Sequence, residues 1–124
     1  MIAIDTSSLI AFLVGEAGSD VEAVDDVLRH EQAVLPPVVL TEILSHPKLD
    51  RRVSRLIESL PVLEVEAGYW ERAAAIRALV LEKNLRARLA DTLISQSCID
   101  HRTPLITRDS DFRHFSKHAG LRLV

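Results

Sequence analysis

The chain has 124 residues, which fits a single domain over 1–124 with room for a real core. With 48% apolar and 27% charged residues it has an ordinary globular composition, and 4% aromatics make the expected core aliphatic. A formal charge of −3 argues against broad non-specific binding to a phosphate backbone, but leaves room for a local basic rim or a metal-mediated nucleic-acid site.

In chain order, IAI (2–4) reads as a buried strand that stops at Asp5, with Thr6 and Ser7 directly behind it. The apolar SLIAFLV that follows is a short helix candidate. DVEAVDDVLRH carries Val21, Val24, Val27 and Leu28 at helical spacing. AVL (33–35) is a second strand, and PVVLTEILSH opens on Pro37, a good first-turn residue for a helix. LDRRVSRLIESL puts Leu49, Val53, Leu56, Ile57 and Leu60 on one side. VLEV (62–65) is a third strand candidate, ahead of the long Ala-rich helix pattern YWERAAAIRALVLEKN. RLADTLISQSCIDH repeats apolar pairs as a helix does, and PLIT (104–107) and LRLV (121–124) complete the strands. Repeats, linkers and low-complexity tracts are absent.

Strands alternating with helices predict an α/β fold: a three-layer α/β/α sandwich with a mainly parallel sheet. Ligands in such folds collect outside the carboxyl ends of the strands. Asp5 sits at one such end, and Arg108 and Asp109 follow PLIT at another.

Further acids point to the same rim. Glu42 lies in a helix that is apolar nearly all round, which predicts a carboxylate on a largely buried element. Asp91 borders the inward stripe that continues through Ile94 and Cys98, and Asp109 and Asp111 come in TRDSDF after the fourth strand. Each has a plainer reading. Asp5 can cap the next helix, Asp91 can pair with Arg88, Asp109 or Asp111 can cap a short helix holding Phe112 and Phe115, and Glu42 can point to solvent through a gap. Taken together, carboxylates gathered at one rim repel one another and imply a cation. An all-oxygen donor set without Cys or His favours Mg²⁺ or Mn²⁺ over Zn²⁺. Arg88 and Arg108 sit at the rim by their sequence neighbours, where they could steer a phosphate; the run Lys48, Arg51, Arg52, Arg55 reads more simply as a solvated helix face.

Four stretches, MIAIDTSSLIAFL, LPPVVLTEILSH, LADTLISQSC and PLITRDSDF, resemble in order and spacing the PIN-domain proteins, most closely the small VapC-type toxins of prokaryotic toxin–antitoxin pairs. The resemblance implies a metal-dependent endoribonuclease. The family's acidic positions fall on Asp5, Glu42, Asp91 and Asp109, with Asp111 inseparable from Asp109. These would hold Mg²⁺ or Mn²⁺, with Asp5 and Asp91 as the main ligands. The family's small hydroxyl falls on Thr6, with Ser7 beside it, so either could bind a phosphate oxygen or a metal water. RNA is the implied substrate and a small antitoxin the implied partner. Tyr69 and Trp70, at the start of a helix, suit core or homodimer anchors.

Two rivals come from other classes. A phospho-receiver-like module wants an acidic pair after the first strand and a Lys at a later strand end; here Asp5 stands alone and no Lys adjoins PLIT. A non-catalytic PIN-like module would not need the acids intact, and a stand-alone RNA-processing PIN nuclease would need no antitoxin. The single cysteine, Cys98, falls on an inward stripe and suggests a reducing compartment. The start of the chain lacks a basic signal-peptide region, and no run nears the ~18 apolar residues of a membrane span. The expected protein is cytoplasmic and makes no membrane contact.

Overall fold

Three short apolar runs pair in parallel at the centre of the fold, whose computed structural model describes residues 1–124. They are β1 (Ile2–Ile4), β2 (Ala33–Val34) and β3 (Leu105–Ile106), in the order β2-β1-β3. The register sets Ile2 against Ala33 and Ala3 against Val34 on one side, and Ala3 against Leu105 and Ile4 against Ile106 on the other. A strand flanked on both sides and covered on both faces must be continuously apolar, as β1 is.

The outer strands anticipated at 62–65 and 121–124 shrink to single parallel bridges, Leu35 with Val62 and Leu105 with Leu123. The physical reason at the first is the partner. Leu35 donates to the Pro61 carbonyl at 2.9 Å and accepts from Leu63 N–H at 2.9 Å. Beyond it, Pro36 has no N–H to offer and Pro37 already begins a helix, so residues 64 and 65 have nothing to pair with.

Seven helices connect the strands: α1 (Thr6–Leu13), α2 (Ser19–Arg29), α3 (Pro37–Leu44), α4 (Arg51–Ser59), α5 (Tyr69–Glu82), α6 (Leu89–Asp100) and α7 (Phe112–Ala119). α1 packs on α2 and α3, α2 lies against β2 and β3, and α5 packs on α6 and α7. α7, which the sequence offered only as an alternative use for Asp109 or Asp111, is real. Its Phe112 and Phe115 are fully buried, with ring centroids 6.4 Å apart. They join Ile4, Leu9, Leu35, Ile57, Ile94, Leu105 and Ile106 in a core that is otherwise aliphatic, as the composition predicts.

At the far end of α6 from Asp91, Arg72 of α5 grips Asp100 with two hydrogen bonds of 2.9 and 2.6 Å. Tyr69 is buried and donates to the Leu93 carbonyl at 2.6 Å, while Trp70 beside it is exposed. Cys98 is buried and its thiol is pushed up to about 12 by desolvation, so it packs rather than reacts. No helix is long and apolar enough to cross a membrane.

Candidate active site

Parallel strands end on one rim, and that rim gathers the acids. β1 runs out into Asp5, which is only 4% exposed. The backbone turns there because Asp5 is extended (φ −75°, ψ 152°) and caps α1. Its Oδ2 accepts from Ser7 N–H at 3.4 Å, Ser7 Oγ at 2.5 Å and Thr107 Oγ1 at 2.9 Å. Desolvation pushes the Asp5 carboxyl up from its ordinary value, and the hydrogen bonds from Ser7 and Thr107 oppose that push. The same carboxylate therefore caps α1 and, by its charge, helps to raise the Asp91 carboxyl.

Asp91 stands in the first turn of α6. Its carboxyl is pushed up to about 6, first by burial, then by the charges of Asp109, Asp5 and Asp111, with Arg88 opposing. Asp91 Oδ2 is buried with no hydrogen-bond partner. Carboxylate oxygens of Asp91, Asp109 and Asp111 lie within 4.8 Å of one another. Asp109 Oδ1 accepts from Asp111 N–H at 2.9 Å, which fixes the turn between them. Arg86 approaches Asp111 at 3.8 Å.

An orphaned buried oxygen beside two further carboxylates is unfavourable as it stands and is relieved by a hard divalent cation. The donors are all oxygen and half-buried, which fits Mg²⁺ or Mn²⁺. Asp111 belongs to this group as fully as Asp109 does, whereas Asp5 and Glu42 stand outside the cluster of three.

Glu42 corrects a sequence reading. It is exposed, not part of a buried element, because only Val39 and Ile43 of α3 are buried. On one side of α3, Glu42 and Ile43 line an open groove together with Ile10, Leu13, Val14 and Leu49, while Val38, Leu40 and Leu44 pack against the core. Its partner is Thr6, whose Oγ1 donates to Glu42 Oε1 at 2.7 Å. Thr6 and Ser7 thus each orient one acid, Glu42 and Asp5 respectively.

The two arginines part company. Arg88 is exposed and close enough to Asp91 to favour its ionised form. Arg108, expected to meet a phosphate, is committed elsewhere: its Nε and Nη2 donate to Asp20 at 2.8 and 3.1 Å, Nη2 also reaches the Ala17 carbonyl at 3.1 Å, and Nη1 pairs with Glu16. Arg51, Arg52 and Arg55 are exposed on α4, the solvated face that the simpler reading predicts.

Two residues escaped the sequence. Thr107 was absorbed into the strand PLIT by its β-branched character, yet its hydroxyl joins Asp5 to the Asp109 N–H, which donates to it at 3.0 Å. Asp20 read as the polar start of a helix, yet Arg108 and Ser8 hold its carboxyl down at about 2. Only the hydroxyl before an Arg-Asp pair could have signalled Thr107; nothing local signals Asp20.

No curated protein sequence matches the chain. Among solved structures the fold is similar to VapBC2 from Rickettsia felis bound to a DNA fragment from the promoter, with a TM-score of 0.75 at 18% identity over 100% of this chain and 98% of that one. It is also similar to FitAcB from Neisseria gonorrhoeae (TM-score 0.68, 18% identity, 99% and 96% covered). A third likeness is to VapBC-5 from Mycobacterium tuberculosis, of the VapBC family of toxin–antitoxin systems (TM-score 0.67, 24% identity, 99% and 96% covered). At these identities the likeness is one of fold. The sequence itself matches the PIN domain over residues 2–118, nearly its whole length, and the protein belongs to the PIN domain family.

Proposed function

We propose that the protein is a Mg²⁺- or Mn²⁺-dependent endoribonuclease, the toxin of a toxin–antitoxin pair acting in the cytoplasm. One observation carries the catalytic half: Asp91, Asp109 and Asp111 converge within 4.8 Å while a buried oxygen of Asp91 has no partner. PIN domains are nucleases, and these acids are what such chemistry needs. A bound divalent ion supplies Lewis-acid polarisation of the scissile phosphate and an acidified water.

The chain's own residues do the rest. Asp91, Asp109 and Asp111 would hold the ion, and Asp5, fixed by Ser7 and Thr107, would add its negative charge to theirs. Glu42 faces solvent, where Thr6 orients Oε1 and leaves Oε2 to accept a proton. Arg88 attracts phosphate to an otherwise acidic rim. With water as nucleophile and the 3′ oxygen as leaving group, the P–O3′ bond breaks and the products carry 5′-phosphate and 3′-hydroxyl ends.

Two apolar surfaces support the partners. Ile10 and Val14 are 47% and 65% exposed in the groove beside Glu42, which suits an antitoxin segment. Trp70, Leu81 and Leu89 are exposed along the α5–α6 groove, which suits a second copy of the chain. The solved structures of similar fold include toxin–antitoxin complexes.

The test is cleavage of single-stranded RNA by purified protein. Expected are Mg²⁺- or Mn²⁺-dependent cuts with 5′-phosphate ends, lost in EDTA and in Asp5→Asn. Full activity in excess EDTA, or in Asp5→Asn, contradicts the reading. Growth arrest that depends on Asp5 and is relieved by a co-expressed neighbouring gene supports the toxin role; arrest without relief leaves a stand-alone nuclease.

A further inference from the structure

Past Ile106 the chain places three consecutive residues with opposed orientations. Thr107 donates to Asp5 Oδ2 and accepts from Asp109 N–H, so it faces the acidic centre. Asp109 belongs to that centre. Arg108, between them, reaches the connection between α1 and α2 instead. Four of the five N–H groups of its guanidinium are used, two on Asp20, one on the Ala17 carbonyl and one on Glu16. Two carboxylates on one cation leave that place net negative, which repels a phosphate.

Asp20 has a second tie. Its Oδ2 accepts from Ser8 Oγ at 2.8 Å, and Ser8 is fully buried in α1, the helix that Asp5 caps. A single carboxylate thus joins the segment carrying Asp5 to the segment carrying Asp109. The loop is also shaped around the pair. A Cβ on Gly18 would lie 2.6 Å from Asp20 Oδ1 and 3.0 Å from Arg108 Nη2, and its φ of +150° is one that side-chain-bearing residues rarely adopt.

The geometry points to Arg108 as a positioning residue of the acidic centre: clamped by Glu16, Ala17 and Asp20, it pins residues 107–109 against the start of α2, which Ser8 ties to α1, and so sets the spacing between Asp5 and Asp109. This rests on the metal-dependent nuclease reading. The guanidinium acts through the backbone and through Thr107, and touches neither ion nor RNA. Lysine replaces it only in part, since a point charge lacks the planar fork that reaches all three acceptors.

The experiment is calorimetric titration of Mn²⁺ into the metal-free full-length protein, with Tm and the kcat and KM for RNA cleavage measured beside it. Arg108→Gln and Gly18→Ala are expected to raise the Mn²⁺ Kd about 10- to 100-fold, with Arg108→Lys rescuing only part. The control is Arg72→Gln, which breaks an ion pair at the opposite end of α6; it is expected to lower Tm and leave the Mn²⁺ Kd unchanged. Should Arg108→Gln fail to fold, Gly18→Ala carries the test alone. An unchanged Kd with a raised KM in Arg108→Gln would make Arg108 a phosphate contact and overturn the inference. So would an equal loss of Mn²⁺ affinity in Arg72→Gln, which would mark a merely global effect. A wild-type protein that binds no Mn²⁺ overturns the nuclease reading as well, so the two failures are distinguishable.

Discussion

Asp91→Asn is expected to stabilise the metal-free protein while abolishing its activity. In the folded state the wild-type Asp91 carboxyl is pushed up to about 6 from its ordinary value of 3.8. A raised carboxyl pKa means that the folded chain holds more protons than the unfolded one between these values, so metal-free stability falls as pH rises from about 4 through about 6. The penalty is fully present at neutral pH and amounts to about 2 kcal/mol after allowing for partial solvent screening. Burial contributes first, and repulsion from Asp109, Asp5 and Asp111 follows. The isosteric amide removes the charge. Metal-free Asp91→Asn therefore unfolds at higher temperature than wild type at pH 7.5, and the two converge near pH 4. Divalent ions reverse the order, because they bind the ionised carboxylate and stabilise wild type as pH rises. RNA cleavage falls by about 1,000-fold or more, the loss of several kcal/mol of charge stabilisation. Thermal unfolding across pH, with and without Mn²⁺, checks the first part. A metal-free Asp91→Asn less stable than wild type at neutral pH would contradict it.

Phe112→Ala is expected to cost about 3–5 kcal/mol, a large share of the stability of a domain this size. Phe112 is fully buried, packs against Phe115 and directly follows Asp111. Truncation leaves a cavity that the backbone of α7 cannot close without moving the 109–111 turn, so Mn²⁺ affinity falls along with Tm. Phe112→Leu keeps most of the volume and is expected to cost far less. Urea denaturation of both variants measures the difference, and a cost below about 1 kcal/mol for the alanine would mean that the core does not depend on this ring.

The sequence pattern carried the fold well where chemistry was local. β1 is apolar throughout because both its edges and both its faces are covered, and Asp5 stands out because a charge follows it at once. The rim position of Asp91 was legible from the period of α6. What was not legible depended on distant partners. Glu42 seemed buried because its helix neighbours are apolar, but a helix can be apolar and line an open groove, as α3 does. Arg108 seemed a phosphate ligand because it adjoins Asp109, yet in an irregular loop adjacent side chains need not face the same way. Its partners Glu16 and Asp20 lie 92 and 88 residues away along the chain, a separation that no local pattern can bridge. The strand at 62–65 had the right composition but lacked a partner beyond Pro36.

The proposal that the acids of this rim hold a divalent ion is tested most directly by diffraction at an energy where manganese scatters anomalously, from crystals grown with Mn²⁺. The expected result is an anomalous peak among the carboxylates of Asp91, Asp109 and Asp111, with Asp91 Oδ2 as a ligand. A peak elsewhere, or none at an Mn²⁺ concentration that supports RNA cleavage, would contradict the assignment of this cluster as the catalytic centre.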